Sequence, residues 1–123
     1  MNIAILLSHI LTQPQIDELK NLYRCENIIY MPEEIKAKWM NIDDNSSPEI
    51  FKEFLLANLK KGDYVLIQGE WGMTYKLINF AKKNGFIPLF SRTGRNVQER
   101  KEGDKTIKVS VFEHKGFRKY EDE

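Results

Sequence analysis

Four short apolar runs, the first three followed by residues at helical spacing, leave this chain few ways to fold. Ile3–Leu7, Asn27–Met31, Asp63–Gln68 and Phe86–Phe90 have strand length. A run as continuous as the first suits a strand buried on both faces of a sheet. After it, Thr12 stands three residues before Gln15, a capping-box spacing, with Pro14 in the first turn. Ile16, Leu19, Leu22 and Tyr23 continue that helix, and Glu33–Met40 forms a second, short amphipathic one. Ser47-Pro48 opens a third, whose stripe of Ile50, Phe51, Phe54, Leu55 and Leu59 ends at Lys60, Lys61 and Gly62. Met73, Leu77, Phe80 and Ala81 mark a fourth, stopped by Asn84-Gly85. Strand alternating with helix implies a parallel sheet covered by helices on both faces.

The last third has another period. Val97–Lys101 and Thr106–Glu113 flank Gly103-Asp104, and Ile107, Val109 and Val111 alternate with Lys108, Ser110 and Phe112. That is an antiparallel hairpin added to the sheet edge. With 123 residues and no linker, the expectation is a single small Rossmann-like α/β domain spanning residues 1–123.

Apolar residues make up 41% and charged residues 30%, the balance of a globular domain rather than a disordered one. A net charge of +1 supplies no global attraction to DNA, so anion binding must come from local placement. The N-terminal apolar run lacks a basic flank and is broken by Ser8 and His9, and no run approaches the ~20 residues of a membrane span. One cysteine, Cys25, makes no internal disulfide and completes no metal cluster. The expectation is a cytoplasmic protein with no metal, no cofactor and no membrane partner.

Open parallel sheets bind ligands beyond the carboxyl ends of their strands. Three segments fall there: Ser8-His9, Gln68–Tyr75 and Ser91–Arg95. In the second, Gly69 and Gly72 allow close backbone approach, and the helix starting near Met73 offers N–H groups to a phosphate. Thr74 adds a hydroxyl, Gln68 and Glu70 reach ribose or base edges, and Trp71 offers a stacking face. Arg92 and Arg95 supply guanidinium forks suited to phosphate. His9 ends the first strand, where catalytic groups lie. Each has a plainer reading too. G-x-x-G is also turn chemistry, Trp71 also covers apolar edges, the arginines also suit solvent, and His114 reads as a surface residue. The segment matches neither the Walker nor the dinucleotide fingerprint. Spacing reaches a phosphate or nucleotide site at a sheet edge.

SHILT at Ser8–Thr12, YMPEE at Tyr30–Glu34 and GDYVLIQGEWGMTY at Gly62–Tyr75 carry a further signal, with FIPLFSRTGR at Phe86–Arg95 and KVSVFEHKGFRKY at Lys108–Tyr120. Together they make the chain resemble the small CRISPR-associated Csx proteins of the twentieth type. The resemblance implies a CARF-like homodimer in type III CRISPR antiviral defence, binding cyclic oligoadenylate, most plausibly the tetra-adenylate. It implies a metal-independent ring nuclease, in which a ribose 2′-OH attacks its 3′-phosphodiester. Carried onto this chain, His9 and Arg92 would be the catalytic pair. Ser8, Gln68, Gly69, Glu70, Trp71, Gly72, Thr74, Tyr75, Ser91, Thr93 and Arg95 would hold the ligand. A sensor or sponge that binds without cutting is the alternative. Apart from the resemblance, a nucleotide-binding regulatory domain acting through a partner protein is a third.

Overall fold

The computed structural model of the chain describes residues 1–122. Its elements follow in the order β1 (Asn2–Leu6), α1 (Gln13–Asn21), β2 (Asn27–Tyr30), α2 (Glu33–Met40), α3 (Glu49–Asn58), β3 (Tyr64–Ile67), α4 (Trp71–Lys83), β4 (Ile87–Glu102) and β5 (Lys105–Lys119). The five strands form one sheet in the order β2-β1-β3-β4-β5. All neighbours are parallel except β4 and β5. This is the expected small Rossmann-like α/β fold with a C-terminal antiparallel hairpin.

Side-chain alternation divides the core. Ala4, Leu6, Val65 and Ile67 point to one face, where Trp39, Phe51, Phe54, Leu55 and Leu77 from α2, α3 and α4 close over them. Ile3, Ile5, Leu7, Leu66, Leu89 and Phe117 point to the other, which α1 covers through Leu19 and Ile16. Strands that bury both faces need the near-continuous apolar runs seen in the sequence. At the amino edge of the sheet, the buried Asp63 carboxylate accepts the N–H groups of Asn2 and Lys60 at 3.1 and 2.9 Å.

Two expectations about the last third change. Ser91–Arg95 is not a loop: β4 runs without a break from Ile87 to Glu102. The hairpin also joins the sheet only at its root. Beyond Ser91, β4 is paired with β5 alone, and the two project as a ribbon. The register slips between Arg92 and Thr93, which face Gly116 and His114, so Lys115 is the extra residue of a β-bulge. Gly116 takes φ +116 there, a conformation few side chains tolerate.

Candidate functional site

The chain leaves β1 toward β2 and then crosses over to β3 on the other side, so strand order reverses between β1 and β3. That crevice is where ligands of such sheets bind. It contains a cleft of about 450 Å³ lined by Ser8, Trp39, Met40, Ile42, Gly69 and Glu70. A neighbouring cleft of about 290 Å³ continues it along Asp43, Asp44, Gly72 and Lys76. The structure thus brings Ser8, Gly69, Glu70 and Gly72 together. It also adds Lys76, one helical turn beyond Gly72, which the sequence reading missed although the four-residue spacing was visible.

The glycines and the carboxylate of this segment have internal reasons. A Cβ on Gly69 would stand 2.6–2.8 Å from the Trp39 ring, whose Nε1–H donates to the Gln68 carbonyl at 3.3 Å. A Cβ on Gly72 would press on the Glu70 carboxylate at 3.2 Å. Glu70 is the N-cap of α4, accepting from Met73 N at 2.7 Å and Gly72 N at 3.0 Å. Those backbone hydrogen bonds, Met73 first, hold its carboxyl below the usual range. The expected phosphate position on these two N–H groups is therefore filled by the protein's own anion. The helix also begins at Trp71, two residues before the expected start.

What the segment does present to solvent is aromatic. Trp71 is 89% exposed and Tyr75 69% exposed, so Trp71 covers no apolar edge. Four residues apart on the first turns of α4, they share one helix face, next in sequence to the cleft residues Glu70, Gly72 and Lys76. Thr74 turns inward, its Oγ1 buried without a hydrogen-bond partner.

The remaining candidates do not converge on this cleft. His9 is exposed and lines a separate cleft of about 280 Å³ with Tyr30, Glu33 and Lys36. Gln68 Oε1 accepts from Ser91 N–H at 2.8 Å, extending the β3–β4 ladder with a side chain. Arg92 and Arg95 lie three apart on one strand, hence on opposite faces, so the two guanidinium forks are not presented on one side of the sheet. The Arg95 guanidinium donates to Ser110 Oγ at 2.8 and 3.0 Å. Thr93 is exposed opposite His114.

His114 is not a free surface residue. The bulge aims it at α1, where its Nε2 lies 2.7 Å from Glu18 Oε1 and its Nδ1 2.6 Å from Ser91 Oγ. Glu18 Oε2 accepts from Phe117 N–H at 2.8 Å, and Gln15 Nε2 donates to Ser91 Oγ at 3.2 Å. A carboxylate on Nε2 requires Nε2–H; in the neutral ring Nδ1 then accepts from the Ser91 hydroxyl. Every polar atom of this chain of bonds is thereby satisfied. Ser91 is 8% exposed and the His114 and Glu18 side chains 10% and 18%, so the network is largely shielded from solvent and fastens α1 to the hairpin root. Sequence reading singled out Ser91 and Gln15 separately; only the bulge and the β4–β5 register join them to His114.

Among the described residues, no helix is long and apolar enough to cross a membrane. The model of the family described as "Uncharacterized protein MJ1673 family" matches residues 1–118. A relative from Methanocaldococcus jannaschii, "Uncharacterized protein MJ1673", is 39% identical over 121 residues, which cover 94% of each chain. No solved structure matches.

Proposed function

The chain belongs to the MJ1673 family, and we propose that it binds a cyclic oligoadenylate second messenger and cleaves it, as a CRISPR ring nuclease switching off type III antiviral signalling in the cytoplasm. The observation that carries this reading is the exposed Trp71–Tyr75 pair on the first turns of α4, next in sequence to Glu70, Gly72 and Lys76, which line the clefts at the β1–β3 reversal. A flat aromatic face left in water at a ligand edge suits an adenine, at about 1–3 kcal/mol per stacked base. The rim carboxylates Asp43 and Asp44 suit adenine amino groups and ribose hydroxyls, and Lys76 suits a phosphate.

The chemistry proposed is attack of a ribose 2′-oxygen on its own 3′-phosphorus. The 2′-hydroxyl proton passes to His9, the bond from phosphorus to the 5′-oxygen breaks, and that oxygen takes up a proton. The products are a 2′,3′-cyclic phosphate and a 5′-hydroxyl. His9 and Arg92 stand outside the Ser8–Glu70 cleft, so this chemistry requires a ring that reaches from the cleft to both. Arg92 would then stabilise the charged phosphorane, and holding the 2′-oxygen in line supplies most of the rate gain.

The non-cleaving reading, a sensor or sponge, is favoured by a different observation. Glu70 occupies the N–H groups that would otherwise stabilise a phosphorane, and Arg92 and Arg95 diverge. Chromatography of cyclic tri-, tetra- and hexa-adenylate after incubation with the protein separates the two. The expected result is a linear product from the tetra-adenylate, in excess EDTA as well as with magnesium, slowed by His9→Ala. Intact ligand co-eluting with the protein would establish the sponge. Intact, unbound ligand in every case would overturn both.

A further inference from the structure

The outer half of the hairpin is an uncovered surface. From Thr93 to Glu102, β4 pairs with β5 alone, and at ~3.3 Å per residue the ribbon projects roughly 30 Å. A lone two-stranded ribbon is marginally stable in water. This one exposes apolar side chains as well: Phe112 is 72% and Val97 52% exposed. The antiparallel register sets Phe112 opposite Arg95 and Val97 opposite Ser110, so both apolar residues share a face with Arg95 and Lys101.

The body carries a surface of matching character. Between α2 and α3 lies an open groove of about 810 Å³ lined by Ala37, Ile42, Ile50 and Phe51. Glu34, Asp43 and Glu49 edge it, against one lining cation, Lys38, and Glu49 also pairs with Lys52 at 3.5 Å. Residues 92–115 hold seven Lys and Arg against four Asp and Glu, in a chain whose total is +1. Three of those four acids already pair within the ribbon, with Arg100, Lys108 and Lys115. Arg95 and Lys101 have no acidic partner among the described residues.

We propose that the ribbon of one chain lies in the α2–α3 groove of a second copy and receives that copy's ribbon in its own. Phe112 and Val97 enter the apolar lining, and Arg95 and Lys101 face Glu34, Asp43 and Glu49. The strand order makes this an exchange between copies. The ribbon springs from the β4–β5 edge, whereas α2 follows β2 at the opposite edge. Reciprocity closes the contact as a two-fold dimer, where a one-way contact would propagate into a filament. The fastening of the root by Ser91, His114 and Glu18 gives the projecting ribbon a fixed direction, which an exchange of this kind requires. The inference shares Asp43 with the proposed ligand rim but rests on separate observations, and the oligomeric state is read without ligand, so either can fail alone.

Sedimentation equilibrium of the full chain tests it, using Phe112→Asp, Arg95→Glu, Asp43→Arg and the double variant Arg95→Glu/Asp43→Arg. The expected result is a wild-type dimer, a dissociation constant raised about ten-fold or more in each single variant, and partial recovery in the double variant. All three positions are exposed, so circular dichroism of the variants should match the wild type. A wild type that stays monomeric at about 100 μM overturns the proposal. So does an unchanged dissociation constant in Phe112→Asp. If Phe112→Asp disrupts a dimer that Asp43→Arg leaves intact, the groove is not the seat, which also overturns it.

Discussion

The two halves of the hairpin share strands and backbone bonding, yet differ in everything that stabilises them. At the root, Leu89 and Phe117 are 0% and 1% exposed, and Phe117 meets Tyr23 and His114 at ring-centroid distances of 6.1 and 4.6 Å. Tyr23 Oη also donates to the Phe117 carbonyl at 3.0 Å. Beyond the bulge, Phe112 continues the same alternation into solvent. The periodicity of a strand states which residues share a face; it does not state whether anything covers that face. The root is an interior feature, and the ribbon is a surface awaiting a cover.

The contrast is broken most readily by truncating its two phenylalanines. Phe117→Ala removes a ring from a closed site and should cost about 3–5 kcal/mol in urea unfolding. Phe112→Ala, measured in dilute monomer, should stay within about 0.5 kcal/mol of the wild type. Equal costs would mean that the ribbon is covered within its own chain. Next in size is the network. Glu18→Ala leaves His114 Nε2–H and Phe117 N–H without acceptors inside the fold, a loss of about 1–3 kcal/mol. Its ribbon counterpart, the Lys108–Glu99 pair at 3.8 Å, is solvated on both sides. Lys108→Gln should therefore change stability by less than about 0.5 kcal/mol. A double-mutant cycle on Glu18 and His114 sharpens this, since fastening predicts strong coupling.

The smallest effect is a titration on the ribbon itself. Hydrogen bonds from Lys115 and Asn96 hold the Glu113 carboxyl below its ordinary value of 4.5. For a carboxyl whose folded pKa is depressed, the contribution to folding is present above the unfolded pKa and fades as pH falls through the folded one. Carbon-13 titration of Glu113 should give a midpoint below 4.5, moving up toward it in Lys115→Gln. A midpoint at 4.5 in the wild type would mean that these bonds do not persist in solution.

Much of the architecture was legible because it depends on local pattern. The run Ile3–Leu7, the Gln15 side chain accepting from Thr12 N–H at 2.9 Å and the turn at Gly103 each depend on residues close in sequence. The continuity of β4 was not legible, because Ser91–Arg95 has the composition of a loop and is held as strand by residues 117–112 of β5. The site divided along the same line. Trp71 was picked out by its position after a strand, and its exposure supports the stacking reading. Gly69 and Glu70 were picked out for the same reason, but Trp39 and the Met73 N–H explain them from within. Distinguishing those cases needs the packing of α2 over β3, which no spacing encodes. His114 was misplaced because a single extra residue, Lys115, decides where its ring points.

The aromatic face gives the most direct test of the functional account. Trp71 is 89% exposed, whereas Trp39 is 3% exposed but lines the cleft, so the part of a tryptophan emission change that Trp71→Phe removes is the part that reports on Trp71. Titration with cyclic tetra-adenylate should quench wild-type emission saturably. Trp71→Phe should lose the quench and Trp71→Ala should weaken binding measured by calorimetry, at about ten-fold or more for a lost stack. Saturable binding that is equally tight in Trp71→Ala would place the ligand elsewhere on the sheet edge. No binding by the wild type would contradict the account at its centre.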